Sequence, residues 1–379
     1  MRKLWPFTFN ILLFASAACV LPFLVLYYQE LGFTGAQIGL ITGITPLITF
    51  FIAPLWSGIA DATGRHRLKM SLAILGGAAA LSVYPFLDTI VPVLLIAILV
   101  NFFLAPVVPF ADSATMYMLA DKKEMYGRSR LGGTIGFGWA AAIAGGIVQN
   151  YSLKLAFLGS AVLLVLSFVV SQKFVYGPRR TDNPTRSGIR IILANPRWLL
   201  FLVLAFIGGI ALAAFNNYFF PYMKEVGASE SMMGFALTLG TLSEVPVLFF
   251  GNKLIKRFKA YHLLMLSMVM TGLRLILFAV AGTTLMVLII QIISGLTFAT
   301  FWIAGVSFAE ENAPPGMHTT AQGLFSAMVM GIGTAVGGFI GGILLESIGG
   351  RDLYLTIGVA VLVIVTLSSV IYSRLPEEQ

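Results

Sequence analysis

Charge is sparse in this chain. Asp, Glu, Lys and Arg make up 11% of its 379 residues, hydrophobic residues make up 58%, and the mean hydropathy is +0.92. A water-soluble domain carries roughly 25% charged residues, so this much apolar surface does not fit inside one soluble core. Cysteine is rarer still. Cys19 is the sole thiol, which excludes an intramolecular disulfide and a thiolate metal cluster. The three histidines, His66, His262 and His318, are scattered near polar segments without zinc-ligand spacing. No Gly-rich loop is followed by Lys-Ser or Lys-Thr, so no ATP site of that kind is present. Nor does a nucleophile, base or metal cluster stand near a membrane interface, as an integral-membrane enzyme acting on lipids requires. No cofactor, no metal and no enzymatic activity are expected.

What is there is long apolar runs. Lipid offers no partner to backbone N–H and C=O groups, so only helices and closed barrels span it. Barrel strands alternate over about ten residues, whereas runs such as Trp198 to Phe215 are continuous. A span needs about 20 mostly apolar residues. Counted this way the chain holds twelve spans, beginning near residues 7, 36, 68, 90, 128, 152, 197, 229, 261, 283, 318 and 350. The run after Arg2 and Lys3 continues to Tyr28, too long for a cleaved signal, and is expected to be retained. The expected fold is all-α and integral to the membrane.

The net charge of +8 does not point to nucleic acid. When loops are assigned alternately to the two sides, all but four of the 24 Lys and Arg fall on the side of the N-terminus. The four are Lys154, Lys224 and Arg351, on the other side, and Arg274, inside a span. Positive loops remain in the cytoplasm, so both termini are expected there. The polar stretch 173–196, rich in Arg and Pro, reads as a cytoplasmic linker held near anionic headgroups. It separates a first bundle, 1–172, from a second, 197–379, with six spans each.

The halves also resemble each other. Gly145-Gly146-Ile147 and Gly341-Gly342-Ile343 each open a similar stretch, 196 residues apart, as parallel repeats of a transporter leave behind. Gly132 and Gly136, and Gly333, Gly337 and Gly341, stand at four-residue spacing and permit close helix approach. The loop after the second span reads Pro54-Leu55-Trp56-Ser57-Gly58-Ile59-Ala60-Asp61-Ala62-Thr63-Gly64-Arg65-His66-Arg67. A carboxylate at a helix end followed by a Gly turn and an Arg cluster can hold a cytoplasmic gate through charge-assisted hydrogen bonds. A plain positive-inside loop is the alternative. In context the loop resembles the signature of the major facilitator superfamily between its second and third spans, with Ser57 and Ala62 departing from the usual pattern. That resemblance covers the whole chain and implies two pseudo-symmetric six-helix bundles, with Asp61, Arg65 and Arg67 as the cytoplasmic gate.

Shorter strings narrow it. Leu21-Pro22-Phe23 through Gly32, then Tyr126-Gly127-Arg128-Ser129-Arg130 with Gly133-Thr134-Ile135-Gly136-Phe137, and Leu345-Glu346-Ser347-Ile348-Gly349 resemble the proton-coupled oligosaccharide and nucleoside symporter branch.

A charge at mid-bilayer costs at least roughly 2.5 to 3.5 kcal/mol, so one that is kept suggests function. Asp112 and Glu244 are the carboxylates that fall within spans, with Arg274 in the ninth and Arg130 at the start of the fifth. Asp112 and Arg130 are 18 residues apart, a separation suited to facing positions on two antiparallel helices. The resemblance to the lactose and nucleoside permeases implies that Asp112, Arg130, Thr134 and Phe137 bind substrate. A structural ion pair between spans four and five is the other reading. Desolvation favours the neutral form of a carboxyl, which suits Glu244 to carry a proton, with Arg274 able to favour its ionised form. A pair that only pins spans eight and nine is the alternative. The tenth-span His and Glu of the lactose permease fall at Gly295 and Phe298, so its coupling does not transfer whole. Asn216 and Asn217 are costly in a span unless paired, and either read substrate hydroxyls or bond a neighbouring helix.

The expected function is proton-coupled import of a small polar solute, a saccharide or nucleoside, by alternating access. The expected partners are that solute, protons and the lipid bilayer, for a monomer in the bacterial inner membrane with no nucleic-acid partner. The rival readings are proton-driven efflux of amphipathic compounds, a non-transporting sensor on the same scaffold and, most remote, the lipid enzyme.

Overall fold

Eleven helical segments of the computed structural model are long and apolar enough to cross a membrane; the structure describes residues 4–119, 126–177, 189–314 and 317–374. In chain order the first ten are α1 (Leu4–Glu30), α2 (Gly35–Thr63), α3 (His66–Phe86), α4 (Ile90–Leu119), α5 (Tyr126–Asn150), α6 (Leu153–Ser171), α7 (Pro196–Glu225), α8 (Glu230–Phe258), α9 (Ala260–Val280) and α10 (Thr284–Glu311). The eleventh segment, Thr320–Arg374, is 55 residues long. At about 1.5 Å per residue it is more than twice as long as a ~30 Å hydrocarbon core. Its helix runs back to His318, and it divides at Gly349 into α11 (318–348) and α12 (350–374), because Gly349 has φ 80° and ψ 172°. Glycine adopts that positive φ without a Cβ clash. The Glu225 carboxylate at the end of α7 accepts the Gly350 N–H at 2.9 Å and so satisfies an orphan amide at the start of α12. Twelve spans result, each starting within a few residues of its expected position.

The chain forms two compact units. The first holds residues 1–182 with 228–238, the second 183–227 with 239–379. Residues 178–188 of the expected linker lie outside the described residues, which include a short helix, Ile189–Ala194, within it. In the first unit α1 packs on α5 and α6, α2 on α4, and α3 on α4 and α6. A Cβ built at Gly136 would stand 2.2 Å from the Ile11 carbonyl oxygen, and one at Gly132 2.5 Å from that of Phe7. The α1–α5 contact is therefore backbone against backbone. The second unit repeats these pairings: Gly337 and Gly341 of α11 abut Ile210 and Tyr218 of α7, and Gly358 of α12 abuts Gly272 of α9. Without a hydrophobic drive between helices in lipid, such contacts and interhelical hydrogen bonds hold the bundle. One pair of these bonds joins Ser16 and Ser160, each hydroxyl within reach of the other's carbonyl at 3.0 and 2.8 Å.

Two interruptions matter in the second unit. In α10 a 3-10 turn, Ile292–Leu296, precedes Thr297 at φ −95°, ψ −95°. In α11 a π-turn spans Ala327–Gly333. Broken backbone is tolerated at membrane depth where side chains satisfy the released groups.

Candidate functional site

Asp112 and Arg130 meet as their spacing predicts. Arg130 Nη1 donates to Asp112 Oδ1 at 3.5 Å, and both side chains are partly exposed, at 40% and 31%. The guanidinium lies over the Phe14 ring of α1, 5.1 Å from its centroid. Tyr126 stands one turn before Arg130, with its phenol in the neighbourhood of the same carboxylate. Thr134 and Phe137 follow Arg130 at four and seven residues, on one helical face, and both are half-buried. Phe137 packs against a knot of small residues formed by Ala15, Ala18, Ala140 and Ala141. An exposed long-range pair such as this contributes little to stability, but it presents a fork of donors and a carboxylate to a polar ligand. Tyr126 and Phe14 escaped the sequence reading, although Tyr126 stands within the string that carried the family resemblance.

In the second unit, Glu244 of α8 and Arg274 of α9 do not form an ion pair within 4.0 Å. They meet instead through the broken segment of α10. Ser294 Oγ donates to Glu244 Oε1 at 3.0 Å. Arg274, 5% exposed, donates Nη1 to Thr297 Oγ1 at 3.0 Å and Nη2 to Gln291 Oε1. Its guanidinium sits against the rings of Phe215 and Phe278, at 4.5 and 5.3 Å, a contact worth about 0.5 to 2 kcal/mol. Ser243 Oγ accepts the Gly295 N–H at 3.1 Å and donates to the Gly240 carbonyl at 2.7 Å. A turn of 3-10 helix and the residues on either side of it thus carry three polar side chains, Gln291, Ser294 and Thr297, to the two intramembrane charges. These three were missed because they are neutral, although their three-residue spacing in an apolar run marks one polar helical face. Asn216 is exposed and Asn217 half-buried, with no hydrogen bond to another described residue; neither joins this cluster.

The loop between α2 and α3 closes on itself. Asp61 Oδ1 is 2.9 Å from His66 Nε2, so the carboxylate engages the histidine of the motif rather than Arg65 or Arg67. Arg67 Nη2 donates to the Phe174 carbonyl at 3.0 Å, just past α6. The His66 ring stacks on Tyr176 at 5.2 Å. Burial pushes the Tyr176 phenol above its ordinary value, against the opposing field of Arg67. Arg65 is exposed. The described contacts of these gate residues lie within the first unit.

Polar and charged side chains gathered inside a bundle of apolar spans define a multi-pass carrier of small solutes. Residues 7–356 match the MFS_1 like family, and the chain belongs to it. It is 28% identical over 371 residues to a maltose permease of Geobacillus stearothermophilus, covering 97% of this chain and 94% of that one. It is 25% identical over 346 residues to a probable 3-phenylpropionic acid transporter of Escherichia coli (strain K12), 89% of each. A crystal structure of the nucleoside transporter NupG superposes with a TM-score of 0.89 at 20% identity, over 98% of this chain and 99% of that one. The protein is a membrane transporter of the major facilitator fold, with twelve transmembrane helices in two six-helix bundles; its family and relatives are transporters, not enzymes.

Proposed function

We propose that this transporter is a proton-coupled symporter that imports a small polar organic solute, a saccharide or nucleoside, by alternating access. The observation that carries the coupling is the intramembrane carboxylate of Glu244, bonded by Ser294 and approached by the field of Arg274 through a broken helix. In this reading Glu244 loads and releases the coupling proton, and Arg274 stabilises its ionised form. Asp112, Arg130, Thr134 and Phe137 bind the solute in the first unit, and Asn216 and Asn217 are its hydroxyl readers in the second. The Asp112–Arg130 fork suits vicinal hydroxyls, and the maltose permease relative and the NupG fold favour hydroxyl-rich solutes. The Lys and Arg asymmetry supports cytoplasmic termini, an inner-membrane location, and the linker 173–196 joining halves 1–172 and 197–379. Asp61, Arg65 and Arg67 belong to the cytoplasmic gate, their present partners being those of one state.

A second reading has its own support. Arg130 over the ring of Phe14 also suits an aromatic carboxylate, as in the probable 3-phenylpropionic acid transporter. Proteoliposome uptake of maltose, uridine and 3-phenylpropionate, with and without an imposed proton gradient, separates the two. Gradient-driven accumulation of maltose or uridine supports the first reading, and of 3-phenylpropionate alone the second. Expulsion of solute by the gradient overturns both in favour of efflux.

A further inference from the structure

Gln291 is fully buried, and its amide has a fixed orientation. Arginine only donates, so the atom facing Arg274 Nη2 is the oxygen, and Nε2 points elsewhere. Among the described residues that Nε2 has no acceptor. A buried amide donor left unmade costs about 1 to 3 kcal/mol, and a partner gained in another state of the protein accounts for it.

Its neighbours show which state. A Cβ at Gly240 would stand 3.4 Å from Gln291 Oε1 and 3.5 Å from Ser294 Oγ, so the amide and the Ser294 hydroxyl lie side by side against α8. Ser294 Oγ is already on the Glu244 carboxylate, and residues 240 and 244 stack on one face of α8. The amide thus has its oxygen on the guanidinium and lies beside the hydroxyl that donates to the carboxylate. Arg274 is the charged group whose field reaches Glu244 among the described residues, and Tyr354 of α12 is the further titratable group facing Arg274.

We propose that Gln291 is the positioning residue that ties Glu244 to Arg274, its Oε1 holding the guanidinium and its Nε2 donating to the carboxylate when Glu244 is ionised. This rests on the reading of Glu244 as the coupling carboxylate. With Glu244 neutral, the amide donor is idle and the guanidinium is held by Gln291 and Thr297. With Glu244 ionised, Ser294 and Gln291 both donate to it, and the amide passes the pull of Arg274 to the carboxylate by polarisation along the chain of bonds. Ser294 lies in the broken turn of α10 and Gln291 immediately before it, so proton release draws this segment toward α8.

The test needs no transported solute. Infrared difference titration of the purified full-length protein reads the protonated-carboxyl band, and the part lost in Glu244→Gln is that of Glu244. Gln291→Leu removes the donor at similar volume, and the Glu244 band should then report a proton affinity about tenfold higher, because a hydrogen bond to the charged form is lost. Gln291→Met keeps the volume and a weak acceptor without a donor and serves if the leucine variant does not fold; the Glu244 band should shift the same way. Ser267→Ala, which deletes a buried hydroxyl of α9 that donates to the Leu264 carbonyl at 2.7 Å and not to this line, should leave the band where the parent has it. A Glu244 band unmoved in Gln291→Leu, or in Gln291→Met where the leucine variant does not fold, overturns the inference and leaves the coupling reading intact. A band equally moved in Ser267→Ala overturns it in favour of a merely structural role. If Glu244→Gln removes no titrating band, the coupling reading fails and the inference with it.

Discussion

The Ser294 hydroxyl donates to Glu244 Oε1 at 3.0 Å, joining residues 50 apart in sequence across two helices. Ser294 sits in the 3-10 turn of α10, so the bond depends on that interruption. A hydrogen bond to a charged group contributes about 1.5 to 3 kcal/mol. Ser294→Ala is therefore expected to reduce gradient-driven accumulation about tenfold or more while solute exchange at zero gradient is unchanged. Equal loss of both activities would assign Ser294 to solute binding instead.

The Asp112–Arg130 fork gives the second expectation. Asp112→Asn and Arg130→Gln each remove one charged partner, and about 1.5 to 3 kcal/mol of binding is roughly 10- to 150-fold in affinity. Thermal unfolding of the purified variants should remain close to the parent, since the pair is partly exposed at 3.5 Å and such pairs stabilise little. Parent-like binding in both would remove the fork from the site. Loss of folding in both would make it a structural pair.

Close helix approach gives the third. Gly136→Ala places a methyl 2.2 Å from the Ile11 carbonyl, and neither helix backbone can yield locally. Overpacking of this kind costs about 1 to 3 kcal/mol, so the midpoint of thermal unfolding should fall. Gly159→Ala, with nothing within 4 Å of its Cβ, is the control and should leave the midpoint unchanged.

Orientation is the fourth. Asn183→Cys in a Cys19→Ala background should resist a membrane-impermeant maleimide in intact cells and react after the membrane is opened. Labelling in intact cells would reverse the proposed orientation.

The fold was legible because lipid makes span length and apolarity decisive, and a 3.6-residue helix is the simplest way to satisfy every backbone group there. The Asp112–Arg130 contact was legible as well: two charges 18 residues apart on helices joined by a short loop can scarcely avoid each other. The bridge between Glu244 and Arg274 was not. A search for charge in the membrane passes over Gln291, Ser294 and Thr297, and the run from 283 onward reads as one uninterrupted helix. Nothing in Ile292-Ile293-Ser294-Gly295-Leu296 forces a 3-10 turn locally; the tight approach of Gly295 to the Ser243 carbonyl, where a Cβ would stand at 2.3 Å, is a tertiary constraint. The gate loop differed for a similar reason. His66 follows Asp61 across the Gly64 turn and reaches its carboxylate first, a contact set by turn geometry rather than by charge count.

The central claim is that Glu244 carries the coupling proton. Gln at this position imitates the protonated acid, keeps a partner for Ser294, and cannot ionise. The direct measurement is uptake of the identified solute into proteoliposomes containing the parent or Glu244→Gln, compared at zero gradient and under an imposed proton gradient. The account predicts that the variant still binds and exchanges solute but no longer accumulates it against its gradient. Undiminished gradient-driven accumulation by Glu244→Gln would contradict it.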